Sequence, residues 1–470
     1  MNDRRAVRQP SAQACWLCLA IGTLLLTGCP SSGPPKPAPA PSASVKLQVL
    51  VVDDPALAAA IGRLQGEWEA QGGGPLEVRQ ATAAELQTRQ ELGADVVVFP
   101  DTELGWLGDR GWLAALERDV EADSAYQWTD VFPQLRATNV RWGGETLALP
   151  LGSRVLLLGK SGAGDGKTAA PATWTDLLAL LEAGDPKPRI ALPLAKGWAG
   201  QALLAWAAPY VRHPDYYSGV FNKDTFETQI ASAPFVRALE ELCAAAKRGH
   251  PRQLELAPED AWQAVAHGEA EWVIGWPPVS ASDAGSAAPA QAIVSAALPG
   301  AIEAFNPLRN TWDRAEGGPQ PTPLVGLEGR LAGASVSAVD GLAAYRLLAL
   351  LTGPQWSGEI APLSPATAPF RGKQISPPIW RPAAPTDAGS YAAAVAASLS
   401  SPRALVALRI PGRAEYLAAL DTAVQQAVRG EATPQAALEA AAAEWRKITS
   451  AHGLEAQRAA YQRSLGLERP

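Results

Sequence analysis

An α/β chain of two lobes, each a mostly parallel sheet flanked by helices, is what this sequence predicts. Three observations carry that expectation. Apolar strand-like runs alternate with amphipathic helical stretches, which argues for parallel strands joined by helical crossovers. The alternation comes in two blocks, before and after Trp142-Gly143-Gly144. About 440 residues follow the N-terminal segment, more than one ordinary domain holds, and 47% of the chain is hydrophobic, enough for two cores.

The N-terminal segment stands apart. Arg4, Arg5 and Arg8 precede an apolar run from Cys15 to Gly28, whose 14 residues fall short of the roughly 20 needed to span a bilayer. The run ends in Leu24-Leu25-Leu26-Thr27-Gly28-Cys29, which resembles the lipobox of bacterial lipoprotein precursors. That resemblance implies a signal peptide over 1–28, acylation of Cys29, and a membrane-anchored protein in the periplasm or at the cell surface. Residues 29–44 follow as a tether, with Pro30, Pro34, Pro35, Pro37, Pro39 and Pro41 favouring extended polyproline structure. At about 3.1 Å per residue such a leash reaches roughly 45 Å.

Loss of residues 1–28 removes three basic and one acidic side chain and moves the formal charge from −7 to −9. No nucleic-acid partner is expected for a chain of that sign. Cys15 and Cys18 leave with the signal segment, so Cys243 is the one thiol left unmodified and no intramolecular disulfide can form. Its helical setting, Ala238 to Ala244, suits a small buried apolar residue rather than a nucleophile.

Along the first block, Val45 to Val52 reads as a buried strand. Leu57, Ile61, Leu64 and Trp68 then recur at helical spacing. A Gly72-Gly73-Gly74-Pro75 break precedes a short strand at 76–79, a helix near 83–92 and a strong apolar strand at 96–99. The second block places strands at 155–158, 190–193 and 271–275, with helices at 175–183, 201–210, 233–246 and 258–268 between them. Ala, Ser and Pro dominate 280–292, which reads as a surface insertion. Strand and helix alternate again over 327–351, and helices at 415–428 and 433–449 close the chain, the latter with Thr433 as N-cap and Pro434 in its first turn.

Four segments resemble the extracellular solute-binding proteins of ABC importers, in particular the family with sugar-binding members. They are Ala94-Asp95-Val96-Val97-Val98-Phe99 with Gly111 to Leu116, Gly143 to Pro150, Gly268 to Trp276, and Tyr416 to Leu420 with Gly430 to Leu438. The resemblance implies a type II periplasmic-binding-protein-like fold with hinge crossovers. Lobe one is then expected over 45–150 plus 300–365, and lobe two over 151–299 plus 366–470. It also implies a small-molecule solute, most simply a carbohydrate, and ABC permease subunits as partners. A lipid-anchored glycan-processing enzyme and a sensory binding protein without a permease are the alternative functions.

Ligands of open α/β sheets bind beyond the carboxyl ends of strands. In lobe one that position belongs to Asp53 and Asp54 and to Asp101 and Thr102, whose oxygens suit sugar hydroxyls or an ammonium group. Asp54-Pro55 equally suits a helix N-cap. Sixteen tryptophans exceed eight tyrosines and seven phenylalanines. Trp198 and Trp276 fall at expected cleft loops, where an indole ring can stack on a pyranose. Arg154, just past the first crossover, suits either an anion or a bracing role toward Asp53 or Asp101. Where many sugar binders of the family carry a tryptophan, this chain has Tyr416, the last candidate.

No catalytic set, metal site or cofactor is expected. His213, His250, His267 and His452 lack metal-ligand spacing, and no Gly-x-Ser-x-Gly elbow occurs. Val51-Val52-Asp53-Asp54-Pro55 mimics a phospho-accepting receiver domain, which the lipobox contradicts. Gly159 to Thr168 mimics a phosphate-binding loop, but Ser161 stands where its first glycine is needed.

Overall fold

The computed structural model describes residues 45–162, 170–183, 189–278, 292–315, 317–376, 378–383 and 385–467. Cys29, the apolar run before it, the Pro-rich tether and nearly all of the 280–292 insertion lie outside these residues.

Two sheets organise the chain. The first has the spatial order Leu76–Ala81, Leu47–Val52, Val96–Pro100, Arg330–Ala334, Leu149–Gly152. Every strand in it runs the same way except Arg330–Ala334, which is antiparallel to both neighbours. The second has the order Ile293–Ala297, Leu157–Ser161, Trp272–Gly275, Ile190–Ala191, and there Leu157–Ser161 is the reversed strand. Leu157–Ser161 follows directly on Leu149–Gly152 of the first sheet, and Arg330–Ala334 arrives from the second sheet by way of the strands Glu303–Asn306, Thr311–Arg314 and Leu324–Val325. A strand arriving that way starts at the end where its neighbours finish, so it must run against them.

Central strands carry the burial expected of sheets covered on both faces. Val96, Val97, Val98 and Phe99 are fully buried. The first helical stretch divides into Pro55–Arg63 and Gln65–Ala70, because the backbone turns at Leu64. Leu57, Ile61, Leu64 and Trp68 nevertheless share one buried face. Asp54 caps the first of these helices through the Leu57 amide at 3.0 Å, and Thr82 and Glu85 form a reciprocal capping box on the helix Ala83–Thr88.

The helix Ala199–Val211 is buried along its whole length, as a helix apolar on all sides must be. It packs against the helices Ala233–Ala246 and Arg413–Arg429 and the hairpin Glu303–Asn306/Thr311–Arg314. The helices Arg413–Arg429 and Pro434–His452 pack together, separated by Gly430, whose φ of 74° closes the first of them. The helix Leu454–Ser464 then reaches back to the helix Leu104–Asp109 beside the first sheet. Chain crossings between the sheets meet at a parallel ribbon, Leu324–Val325 against Leu405–Val406. Among the described residues no helix is long and apolar enough to cross a membrane.

Candidate functional site

The carboxyl ends of the first sheet gather acidic side chains, as their positions after strands require. Asp53 follows Leu47–Val52 with a left-handed φ of 50°, and its carboxylate accepts from the Ala83 amide at 3.1 Å. Asp54 turns inward. Its carboxylate takes the Arg330 Nε at 2.9 Å and the Ser364 hydroxyl at 2.5 Å while capping its helix, so its oxygens are committed to the fold. Asp101 is fully buried, accepts from Asn139 Nδ2 at 3.4 Å and leaves its other oxygen unpaired among the described residues. Burial raises its carboxyl above the ordinary range.

Thr102 lies at the rim of a cavity of ≈ 640 Å³, together with Glu103, Trp106, Arg409 and Arg413. Glu103 accepts from Gln87 at 2.9 Å. Its carboxyl is raised by burial, and Arg413, Asp53 and Glu328 lie within its electrostatic reach. Glu328 holds a left-handed φ of 61° and sits 3.6 Å from the Arg413 guanidinium. Arg409 is almost wholly buried, donates to the carbonyls of Thr138, Asn139, Arg141 and Ser464, and is lowered to about 10 by desolvation.

On the second sheet, Trp276 ends the strand Trp272–Gly275 and meets Trp198 edge to face at 5.1 Å. The Arg154 guanidinium lies 4.9 Å from the Trp276 ring centroid. Arg154 also donates to Glu259 at 3.2 Å and to the Pro365 carbonyl at 2.6 Å, so it braces Glu259 rather than Asp53 or Asp101. Desolvation lowers its pKa, and its electrostatic neighbours include Glu328 and Arg330 of the first sheet's edge. Trp276 is buried, with its indole N–H unpartnered among the described residues, whereas Trp198 is partly exposed.

The structure therefore joins Arg154, Trp198 and Trp276 into one cluster, and Asp53, Thr102 and Glu103 into another at the opposite strand ends. Tyr416 belongs to neither. It is fully buried in an aromatic core with Phe221 and Trp445, its hydroxyl 2.8 Å from Thr449, because the helix Arg413–Arg429 turns that face toward the helix Pro434–His452. Glu103, Glu328 and Arg413 escaped the sequence reading. Glu103 had a legible signal, one residue beyond Thr102, and Arg413 follows the helix-start pair Pro411-Gly412; Glu328 had none, since nothing local marks the start of a reversed strand as a cleft position.

The family model for bacterial extracellular solute-binding proteins matches residues 67–361. No curated protein sequence matches the chain. Solved structures of similar fold include the sugar-binding protein MalE from Xanthomonas citri, at 16% identity and a TM-score of 0.66 over 87% of this chain and 98% of that one. An ABC transporter solute-binding protein from Agrobacterium radiobacter in complex with ribitol has 18% identity and a TM-score of 0.60 over 86% and 99%. A cyclic α-maltosyl-1,6-maltose-binding protein from Arthrobacter globiformis has 16% identity and a TM-score of 0.61 over 86% and 99%. The shared fold is the two-lobed one of binding proteins.

Proposed function

Because the chain belongs to the bacterial extracellular solute-binding family, we propose that it captures a carbohydrate or polyol between hinged lobes for an ABC importer. The observation that carries this reading is the edge-to-face Trp198–Trp276 pair with Arg154 on one set of strand ends, set against the acidic ends bearing Asp53, Glu103 and Glu328 on the other. A flat apolar ring stacks on the C–H face of a sugar, and carboxylates accept from its hydroxyls. Contacts completed only when both sets engage shift the population toward a closed form. Cys29 is the proposed lipid anchor that keeps this receptor beside its permease. The two lobes are taken as 45–150 plus 300–365 and 151–299 plus 366–470.

The test is a thermal-shift screen over sugars, sugar alcohols, amino acids and polyamines, followed by calorimetry on any hit. A saturable sugar or polyol signal, weakened at least about tenfold by Trp198→Ala, is expected. Stabilisation by amino acids or polyamines alone would overturn the carbohydrate reading, and steady hydrolysis of a bound glycan would overturn binding without catalysis.

A further inference from the structure

Behind the crossing ribbon lies a smaller cavity of ≈ 70 Å³, lined among others by Thr138, Arg212, Tyr217, Val406, Leu408 and Tyr461. We propose that it is a binding site for a small oxyanion of the phosphate or sulfate type, held by the Arg212 guanidinium and the backbone amides of Val406 and Leu408. A single water needs about 10–15 Å³ of such space, so the cavity has room for a compact group of a few heavy atoms and none for a sugar ring.

Arg212 supplies the first argument. Among the described residues its electrostatic neighbours are Arg403 and the phenols of Tyr461 and Tyr217, with no carboxylate, and its Nε is buried without a partner. Burial, aided by the positive charge of Arg403, pushes its pKa down. A guanidinium partly withdrawn from water without a counter-charge is costly, and an anion removes that cost. Arg403 adds a second positive charge nearby, its guanidinium donating to the Arg212 carbonyl at 3.1 Å.

The ribbon supplies the second. Leu405 and Ala407 donate their amides to the carbonyls of Pro323 and Val325, at 2.9 and 2.8 Å. Val406 and Leu408, which alternate with them, donate their amides to no carbonyl among the described residues, and both line the cavity. A π-helical turn, Leu135–Asn139, brings Ala137 and Thr138 to the same wall; such turns recur at functional positions. The cavity thus sits where four segments converge: 137–141, 212–219, 404–408 and 461–466.

An anion there joins segments leading to both sheets. Leu408 faces this cavity and the next residue, Arg409, lines the larger one, so the two spaces share one stretch of backbone. The site is separate from the proposed solute site and holds whichever solute that site takes.

The experiment is titration of the purified protein with inorganic phosphate, and separately sulfate, at constant ionic strength against a chloride control. Calorimetry reads the affinity and amide hydrogen exchange reads Val406 and Leu408. Saturable binding of one anion per chain is expected, with slowed exchange at both amides. Arg212→Ala should weaken binding at least about tenfold, and Arg212→Lys less, since it keeps the charge but loses the forked geometry. Should Arg212→Ala not fold, the Lys variant and the exchange measurement on the unaltered chain remain decisive. Absence of saturable binding, equal affinity in the Arg212 variants, or unchanged exchange at Val406 and Leu408 would each overturn the proposal.

Discussion

Asp421, on the helix Arg413–Arg429, accepts the backbone amides of Gly197 and Gly200 at 2.5 and 2.7 Å. It thereby closes the start of the helix Ala199–Val211, which has no side-chain cap of its own. A carboxylate at a helix N-terminus meets both unsatisfied amides and the positive end of the helix dipole. Asp421→Ala is expected to destabilise the protein by about 2–3 kcal/mol in urea unfolding, and Asp421→Asn by roughly half as much. It should also loosen Trp198, the residue just before that helix. A change below about 0.5 kcal/mol would show that the two glycine amides find other partners.

The Arg330–Asp54 pair is nearly inaccessible, with side chains 7% and 2% exposed. Arg330 also donates to the carbonyls of Asp53 and Glu328, so it ties down the backbone of both residues at once. Arg330→Met strands the Asp54 carboxylate and should cost about 3–5 kcal/mol. Adding Asp54→Asn to that variant should recover part of the loss, and strict additivity of the two changes would rule out direct coupling.

For Asp101 the prediction concerns pH. Burial raises its folded pKa above the unfolded value of 3.8, so the folded chain holds this proton more tightly. The resulting stability is fully present below 3.8 and is lost as pH rises through the higher folded value. Asp101→Asn removes that dependence. Its unfolding midpoint relative to the unaltered protein should therefore improve as pH rises above about 4 and level off beyond the raised folded value. A difference that stays constant with pH would mean the carboxyl ionises as freely when folded as when unfolded.

Gly105 lies where a side chain has no room. A Cβ there would collide with the Arg409 carbonyl and come within 2.7 Å of the Trp142 ring. Gly105→Ala should destabilise by about 1–3 kcal/mol, as overpacking does. Because Arg409 lines the larger cavity, the same change should weaken any cleft ligand, measurable as a raised Kd in the surviving folded fraction.

Much of the fold was legible locally. The strand Val96–Pro100 has a continuous apolar run, and the helix Ala233–Ala246 has an unbroken amphipathic repeat after Pro234. The hairpin Glu303–Asn306/Thr311–Arg314 and the helix Ala388–Leu399 were not anticipated. The hairpin's Phe305 and Trp312 are spaced like loop aromatics until the strands pair, and the alanine-rich helix carries little amphipathic contrast.

The candidate site divides the same way. Trp198 and Trp276 were readable because each follows an apolar strand into a short break, a position set by chain order. Asp54-Pro55 was readable as a cap because capping is local chemistry. Tyr416 was misplaced as a cleft residue because a helix repeat marks which residues share a face, not which neighbour that face meets.

By itself, then, the sequence determined the α/β alternation, the N-terminal lipobox-like segment and the positions of strand ends, all properties of short-range spacing. Only the tertiary structure decided that Asp54 is occupied by Arg330 from 276 residues away, that Arg154 lies over Trp276, and that Glu103 and Arg413 share a cavity rim with Glu328 beside Arg413. Those are long-range pairings. They follow from the chain's crossing back between its sheets, which reverses one strand in each and brings distant charges to the same end.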